Sequence, residues 1–242
     1  MDLSLSTIDW TAISAITSFL MTVVAFATIF SSIRQNKKGR ELQIKLLRQQ
    51  QARQQLDDMA ANIMTICRNM NPFHILEYSS KLANNNFTEE DRRVLEMLTV
   101  DNYYNKTNLA IQTNRLGNYK SAKSLLKRLK QIHQDYGLWS STVSTLSQML
   151  GSAELSNPLI EKAIQQMTIE MASRCQKIAP HYQQTIAAIT GQEDIAIEKA
   201  KKMLNIFQTE MARHIQQQQM ELNRELTEFV KYEQEKIDKL IE

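Results

Sequence analysis

Residues 11–33 read TAISAITSFLMTVVAFATIFSSI without one charged side chain, and Arg34, Lys37, Lys38 and Arg40 follow directly. A helix over this stretch rises about 35 Å at 1.5 Å per residue, and a bilayer's hydrocarbon core is about 30 Å thick. The stretch predicts a single transmembrane helix, which makes the lipid bilayer the first expected partner. Asp2 and Asp9 precede it with no Lys or Arg, and the cationic run continues beyond it through Lys45, Arg48 and Arg53. Basic residues are retained on the cytoplasmic side, so Arg34, Lys37, Lys38 and Arg40 read as the topology signal. They place residues 1–10 outside and the body in the cytoplasm. Trp10 stands where an interfacial aromatic belongs. A cleaved signal peptide is the competing reading, with Ala25-Phe26-Ala27 as a small-x-small site. Such a peptide carries its positive charge before the apolar run, and that run is about half as long.

Outward from the span, the chain reads as all-α. Five Gly and three Pro in 242 residues leave few places to turn, which favours long helices over strands. The span continues into a juxtamembrane helix over 34–69, where Leu56, Met59, Ile63, Ile66 and Met70 recur at alternating three and four positions as one buried stripe. Asn71-Pro72 ends it, because proline disfavours a helical residue before it and lacks an N–H. A helical bundle is expected over 70–190. A short helix over 73–83 leads to the Asn84-Asn85-Asn86 loop. Thr88, with Asp91 three residues on, reads as the N-cap of a helix reaching about Leu116, closed by Gly117. Ser121–Tyr136 is amphipathic, with Ala122, Leu125, Leu126, Leu129, Ile132 and Tyr136 on one face. Gly137 is expected to end it before a second helix over 139–150. Gly151–Pro158 reads as a loop, and Asn157-Pro158 as the start of a helix that breaks at Pro180.

After Gly191 no glycine or proline interrupts the chain, so 191–242 reads as a long C-terminal helix. Leu204, Phe207, Met211, Ile215, Leu222, Leu226, Phe229 and Leu240 partly follow a heptad that Gln218 and Glu233 interrupt. A coiled coil or hairpin projecting from the bundle is the expectation. The Gln-rich tracts 49–55 and 216–219 read as exposed helix faces.

Two features carry candidate function. Within the span, Thr11, Ala15, Ser18, Thr22 and Ala25 are separated by four, three, four and three residues, with Ser32 a heptad further on. Small side chains on one stripe let helix backbones approach closely, and hydroxyls can bond across the contact. The stripe reads as a packing face for homo-oligomers, which the C-terminal helix would reinforce. The bland alternative is a solitary anchor whose hydroxyls bond back to the preceding turn. In the body, Lys120, Lys123, Lys127 and Lys130 line one side of a helix, widened by Arg115 and Arg128. Like charges on one stripe repel, and an anionic signalling nucleotide, nucleic acid or acidic lipid headgroups would relieve that repulsion; a protein partner of the body is the other expectation. The bland account is neutralisation by acids of a neighbouring helix such as Glu89, Glu90 or Asp91. No aromatics interleave with the lysines and the net charge is only +3, which argues against nucleic acid.

The motifs of enzymes are missing. There is no Gly-rich phosphate loop, no His-Glu-x-x-His and no nucleophile elbow. His74, His133, His181 and His214 lie far apart, and Cys67 and Cys175 fit neither zinc spacing nor a disulfide framework. No catalytic residue, metal or cofactor is expected, and the cysteines read as reduced cytosolic thiols.

The opening Ile8-Asp9-Trp10-Thr11-Ala12-Ile13-Ser14-Ala15-Ile16, the uncharged span, and Arg34-Gln35-Asn36-Lys37-Lys38 leading into a Gln-rich helix resemble a group of single-pass bacterial inner-membrane proteins. Several members of that group sit in anti-phage defence loci. The likeness covers about the first fifty residues and carries over no functional residue. It implies an inner-membrane location and a non-enzymatic effector or scaffold in prokaryotic defence. In such systems an intracellular sensing part controls a membrane-embedded part. A passive tether recruiting a soluble partner, or a membrane protein that blocks superinfection, are the alternative expectations.

Overall fold

The computed structural model describes residues 10–150, 157–191 and 197–239, with the backbone alone for residues 10–13, 15, 16, 102 and 103. The expected external N-terminus before Trp10, most of the Gly151–Pro158 loop, and Leu240 of the heptad lie outside the described residues. The described chain is all-α, with no strand among these residues. Its helices are α1 (Trp10–Asn69), α2 (Pro72–Ala83), α3 (Glu89–Gly117), α4 (Lys123–Leu150), α5 (Pro158–Ile178), α6 (Gln183–Thr190) and α7 (Ile197–Asp238). Short 3-10 turns at Lys120–Ala122 and Pro180–Tyr182 precede α4 and α6. Two compact units emerge, one of Met1–Gln54 with Glu235–Glu242 and the other of Gln55–Gln234.

The first unit carries the apolar part of α1, which is long and apolar enough to cross a membrane. Here Arg53 pairs with Asp238, and Gln49 Nε2 donates to the same carboxylate at 3.0 Å. The hydrogen bond from Arg53 holds the Asp238 carboxyl below its ordinary range.

The second unit is a helical bundle, and its element ends follow from local chemistry. Asn71 caps α2 by accepting from Phe73 N at 3.0 Å, with Pro72 at the first helical position, and Asn157 does the same for α5 through Leu159 N. Thr88 and Asp91 form a reciprocal capping box at the start of α3. Asn85 takes a left-handed φ of 59° in the loop after α2, a conformation that asparagine tolerates. Gly117 is the last residue of α3, but the exit is right-handed at Asn118 and leads into the 3-10 turn before α4.

The core holds the expected stripe of α1, in which Leu56, Met59, Ile63, Ile66 and Met70 are all buried. On α4 the apolar face is buried from Leu125 through Leu129, Ile132 and Tyr136, while Leu126 is only half-buried. The face then runs on through Trp139, Val143 and Leu146. For that reason Gly137 does not break the helix. Glycine costs a helix interior about 1 kcal/mol relative to alanine, less than burying any one of the flanking side chains returns. α3 and α4 pack side by side, and α2 and α5 also contact α4.

α7 departs from the projecting coiled coil expected of it. Within the bundle it buries Met203, Leu204, Phe207, Met211, Ile215, Leu222, Leu226 and Phe229. The residues that interrupt its heptad have partners in other helices or turns. Gln218 accepts from Arg128 Nη1 at 2.8 Å, and Glu233 accepts from Ser121 Oγ at 2.5 Å. The tract 216–219 is also more than an exposed face. Gln219 is half-buried, and its Nε2 donates to the carbonyls of Cys67 and Met70 at 3.0 and 2.8 Å. It thus satisfies carbonyls at the C-terminal end of α1 that have no partner within their own helix.

Candidate functional site

Along the apolar part of α1 every described side chain from Thr17 to Ile33 is exposed. Phe19, Phe26 and Phe30 stand 69%, 70% and 71% open, and Leu20, Val24, Ile29 and Ile33 are also largely uncovered. Among the small residues, Ser18, Thr22, Ala25 and Ser32 are exposed, while the side chains of Thr11 and Ala15 lie outside the described set. The Thr22 hydroxyl donates to the Ser18 carbonyl at 2.8 Å, and Thr28 does the same to Val24. A hydroxyl bonded this way is satisfied within its own helix.

The cationic stripe divides in two. Arg128 is drawn into the protein, where its Nε donates to Glu225 Oε1 at 2.9 Å and its Nη1 to Glu221, both on α7. Ser124 Oγ adds a bond to Glu225 at 3.2 Å. The hydrogen bond to Glu225 raises the Arg128 guanidinium above its ordinary range, against an opposing effect of burial. The neutralising acids therefore come from α7. Glu89, Glu90 and Asp91, expected in that role, instead pair with Arg92, Arg93 and Lys81. Arg128 is a helix-to-helix latch, and the anion-binding part assigned to it on sequence grounds passes to its neighbours. Arg115, Lys120, Lys123, Lys127 and Lys130 are exposed and form no ion pair among the described residues. Lys120 sits on the 3-10 turn and Lys123 opens α4.

Lys130 also borders a groove of about 740 Å³ between α3 and α4. Leu109, Ala110 and Leu138 supply alkyl surface, Gly137 contributes bare backbone, and Lys106 joins Lys130 as a second cation. Lys106 is exposed and, like Lys130, has no ion pair among the described residues. The sequence reading missed this groove, because α3 has no clean apolar period to mark which residues face α4.

The remaining reactive groups are scattered. His133 lines the same groove, His214 Nε2 lies 3.4 Å from Asp135 Oδ2, and His74 and His181 are exposed. No cluster of three or more His, Cys, Asp or Glu placed to hold a metal ion occurs among the described residues. Burial pushes the Cys67 and Cys175 thiols up to about 12, with the Glu210 charge adding to the effect at Cys175. They are packed thiols rather than nucleophiles. Compared with known proteins, the chain matches no family model, no curated protein and no solved structure.

Proposed function

We propose that the chain is a non-enzymatic, membrane-anchored effector or scaffold. Its spans pack against one another in a bacterial inner membrane, and its helical body lies in the cytoplasm and answers to an anionic ligand or a partner. The observation that carries this reading is the uncovered apolar surface between Thr17 and Ile33, cut off by Arg34, Lys37, Lys38 and Arg40. Removing each large side chain there from water is worth about 1.5–3 kcal/mol, so the stretch contributes on the order of 15 kcal/mol when lipid covers it. The basic run sets the body on the cytoplasmic side. The uncompensated lysines of the bundle supply the surface that an anion would meet. Service in anti-phage defence belongs to the same proposal and rests on the likeness of the first fifty residues.

The test has two stages. A C-terminal fluorescent protein should mature and a C-terminal alkaline phosphatase should stay inactive; the reverse pattern overturns the topology. Ser18→Leu with Thr22→Leu should then abolish crosslinking between spans and any depolarisation read with a membrane-potential dye, while the protein stays in the membrane fraction. Unchanged crosslinking removes the packing mechanism.

One observation favours a second reading, that of a passive tether. The Thr22 hydroxyl bonds to its own helix, as a solitary anchor requires. Exchange of residues 11–33 for an unrelated span separates the two, because a tether keeps its function and an effector loses it.

A further inference from the structure

The groove between α3 and α4 combines two features that rarely serve structure alone. It is an open cleft of about 740 Å³, within the roughly 300–1,000 Å³ typical of small-molecule sites, and exposed Ala110 and half-buried Leu138 turn alkyl surface toward it. Its cations, Lys106 and Lys130, come from different helices and form no ion pair among the described residues. Two like charges facing one cleft repel each other, so the cleft is electrostatically incomplete as it stands. A carboxylate answers one lysine, whereas a phosphate monoester carries about −1.5 to −2 near neutral pH with three acceptor oxygens, enough for both. The space along Leu109, Ala110 and Leu138 suits a saturated tail.

From this we infer that the α3–α4 groove binds a single-chain amphiphile with a phosphate monoester head, the head held between Lys106 and Lys130 and the tail laid along Leu109, Ala110 and Leu138. The inference does not depend on the anchor, because every group invoked lies between residues 106 and 138. It names a chemistry for the anionic ligand and would hold for an effector or a tether alike.

The test uses the full chain in nanodiscs of phosphatidylcholine and a dodecyl phosphate whose tail ends in a diazirine. After irradiation, crosslinks mapped by mass spectrometry should fall on the peptides carrying Leu109 and Leu138, beside the labelling of the apolar span that any such tail gives. Labelling of the groove should drop about tenfold in Lys106→Glu/Lys130→Glu, with the labelling of the span unchanged as an internal standard. Both lysines are exposed, so the double variant should keep its helical spectrum. Ala110→Phe, which fills the cleft and leaves both charges in place, should also abolish it. Unlabelled lysophosphatidate should compete, and the matching alcohol and carboxylate should label the groove about tenfold less. Equal labelling by the alcohol or the carboxylate, indifference to the double substitution, or displacement by a nucleotide but not by lysophosphatidate would overturn the assignment.

Discussion

Arg128 of α4 reaches Glu225 of α7 with its Nε 2.9 Å from Oε1 and its Nη2 2.8 Å from the same oxygen, while its Nη1 engages Glu221 and Gln218. One guanidinium thus joins three side chains of the last helix to the middle of the bundle. Both Arg128 and Glu225 are mostly covered, so solvent screens the pair only in part. Arg128→Met should cost about 1.5–3 kcal/mol, the worth of a charge-assisted bond plus the acids left without their partner. Thermal unfolding followed by the fluorescence of buried Trp139 should show a midpoint lower by about 4–8 °C. Arg128→Lys should recover only part of the loss, because an ammonium cannot fork toward two acids. A midpoint unchanged in the methionine variant would show that the latch contributes nothing.

Gln219 holds the end of a remote helix through the carbonyls of Cys67 and Met70. Gln219→Leu leaves two carbonyls short of a donor and should cost about 1–3 kcal/mol. Gln216→Leu, at an exposed position of the same tract, should shift stability by less than about 0.5 kcal/mol. Equal effects of the two substitutions in chemical denaturation would remove the capping role.

The Asp91 carboxyl is held down to about 2, first by the hydrogen bond from Lys81 and then by those from the Thr88 hydroxyl and backbone. A carboxyl whose folded value lies below its unfolded one stabilises the fold at higher pH. The contribution is complete above about pH 4 and disappears as pH falls toward about 2. Allowing for solvent around Lys81, it amounts to about 1–2 kcal/mol. Asp91→Asn should therefore lower stability at pH 7 by that amount, and the difference from the parent chain should shrink to nothing near pH 2. A constant difference across that range would contradict the assignment.

Cys67 and Cys175, with thiols pushed up to about 12, expose on the order of one thiolate in ten thousand at pH 8. Neither should react with iodoacetamide over the time in which a free peptide thiol is consumed. Both should react fully in denaturant. Rapid native labelling of Cys175, the fully buried one, would show that the core around it opens.

Much of the fold was legible where one physical rule acted alone. The alternating spacing from Leu56 to Met70 announced a buried face, and Thr88 with Asp91 announced a helix start; both are found. Reading failed where two rules competed. By itself Gly137 reads as punctuation, yet the apolar period on either side, from Leu129 to Val143, outweighs the glycine's small helix cost. Gln218 and Glu233 looked like defects in the stripe of α7, because their partners Arg128 and Ser121 lie about a hundred residues away in sequence. The short helix Gln183–Thr190 was passed over beside Pro180, although Ile186 and Ile189 already carried its buried face. Of the expected cationic site, exposure of the four lysines was readable from their spacing. The removal of Arg128 and the arrival of Lys106 were not, since both depend on which helices become neighbours.

The Thr22 hydroxyl has spent its only hydrogen on the turn beneath it. A helix that packed against Thr22 would receive no directional donor from it, so closeness of fit would govern the contact at that position. Contacts of that kind tolerate a few degrees of roll at little cost, whereas a bulkier residue pries the pair apart outright. At Thr22, bulk rather than donor capacity is the quantity to vary.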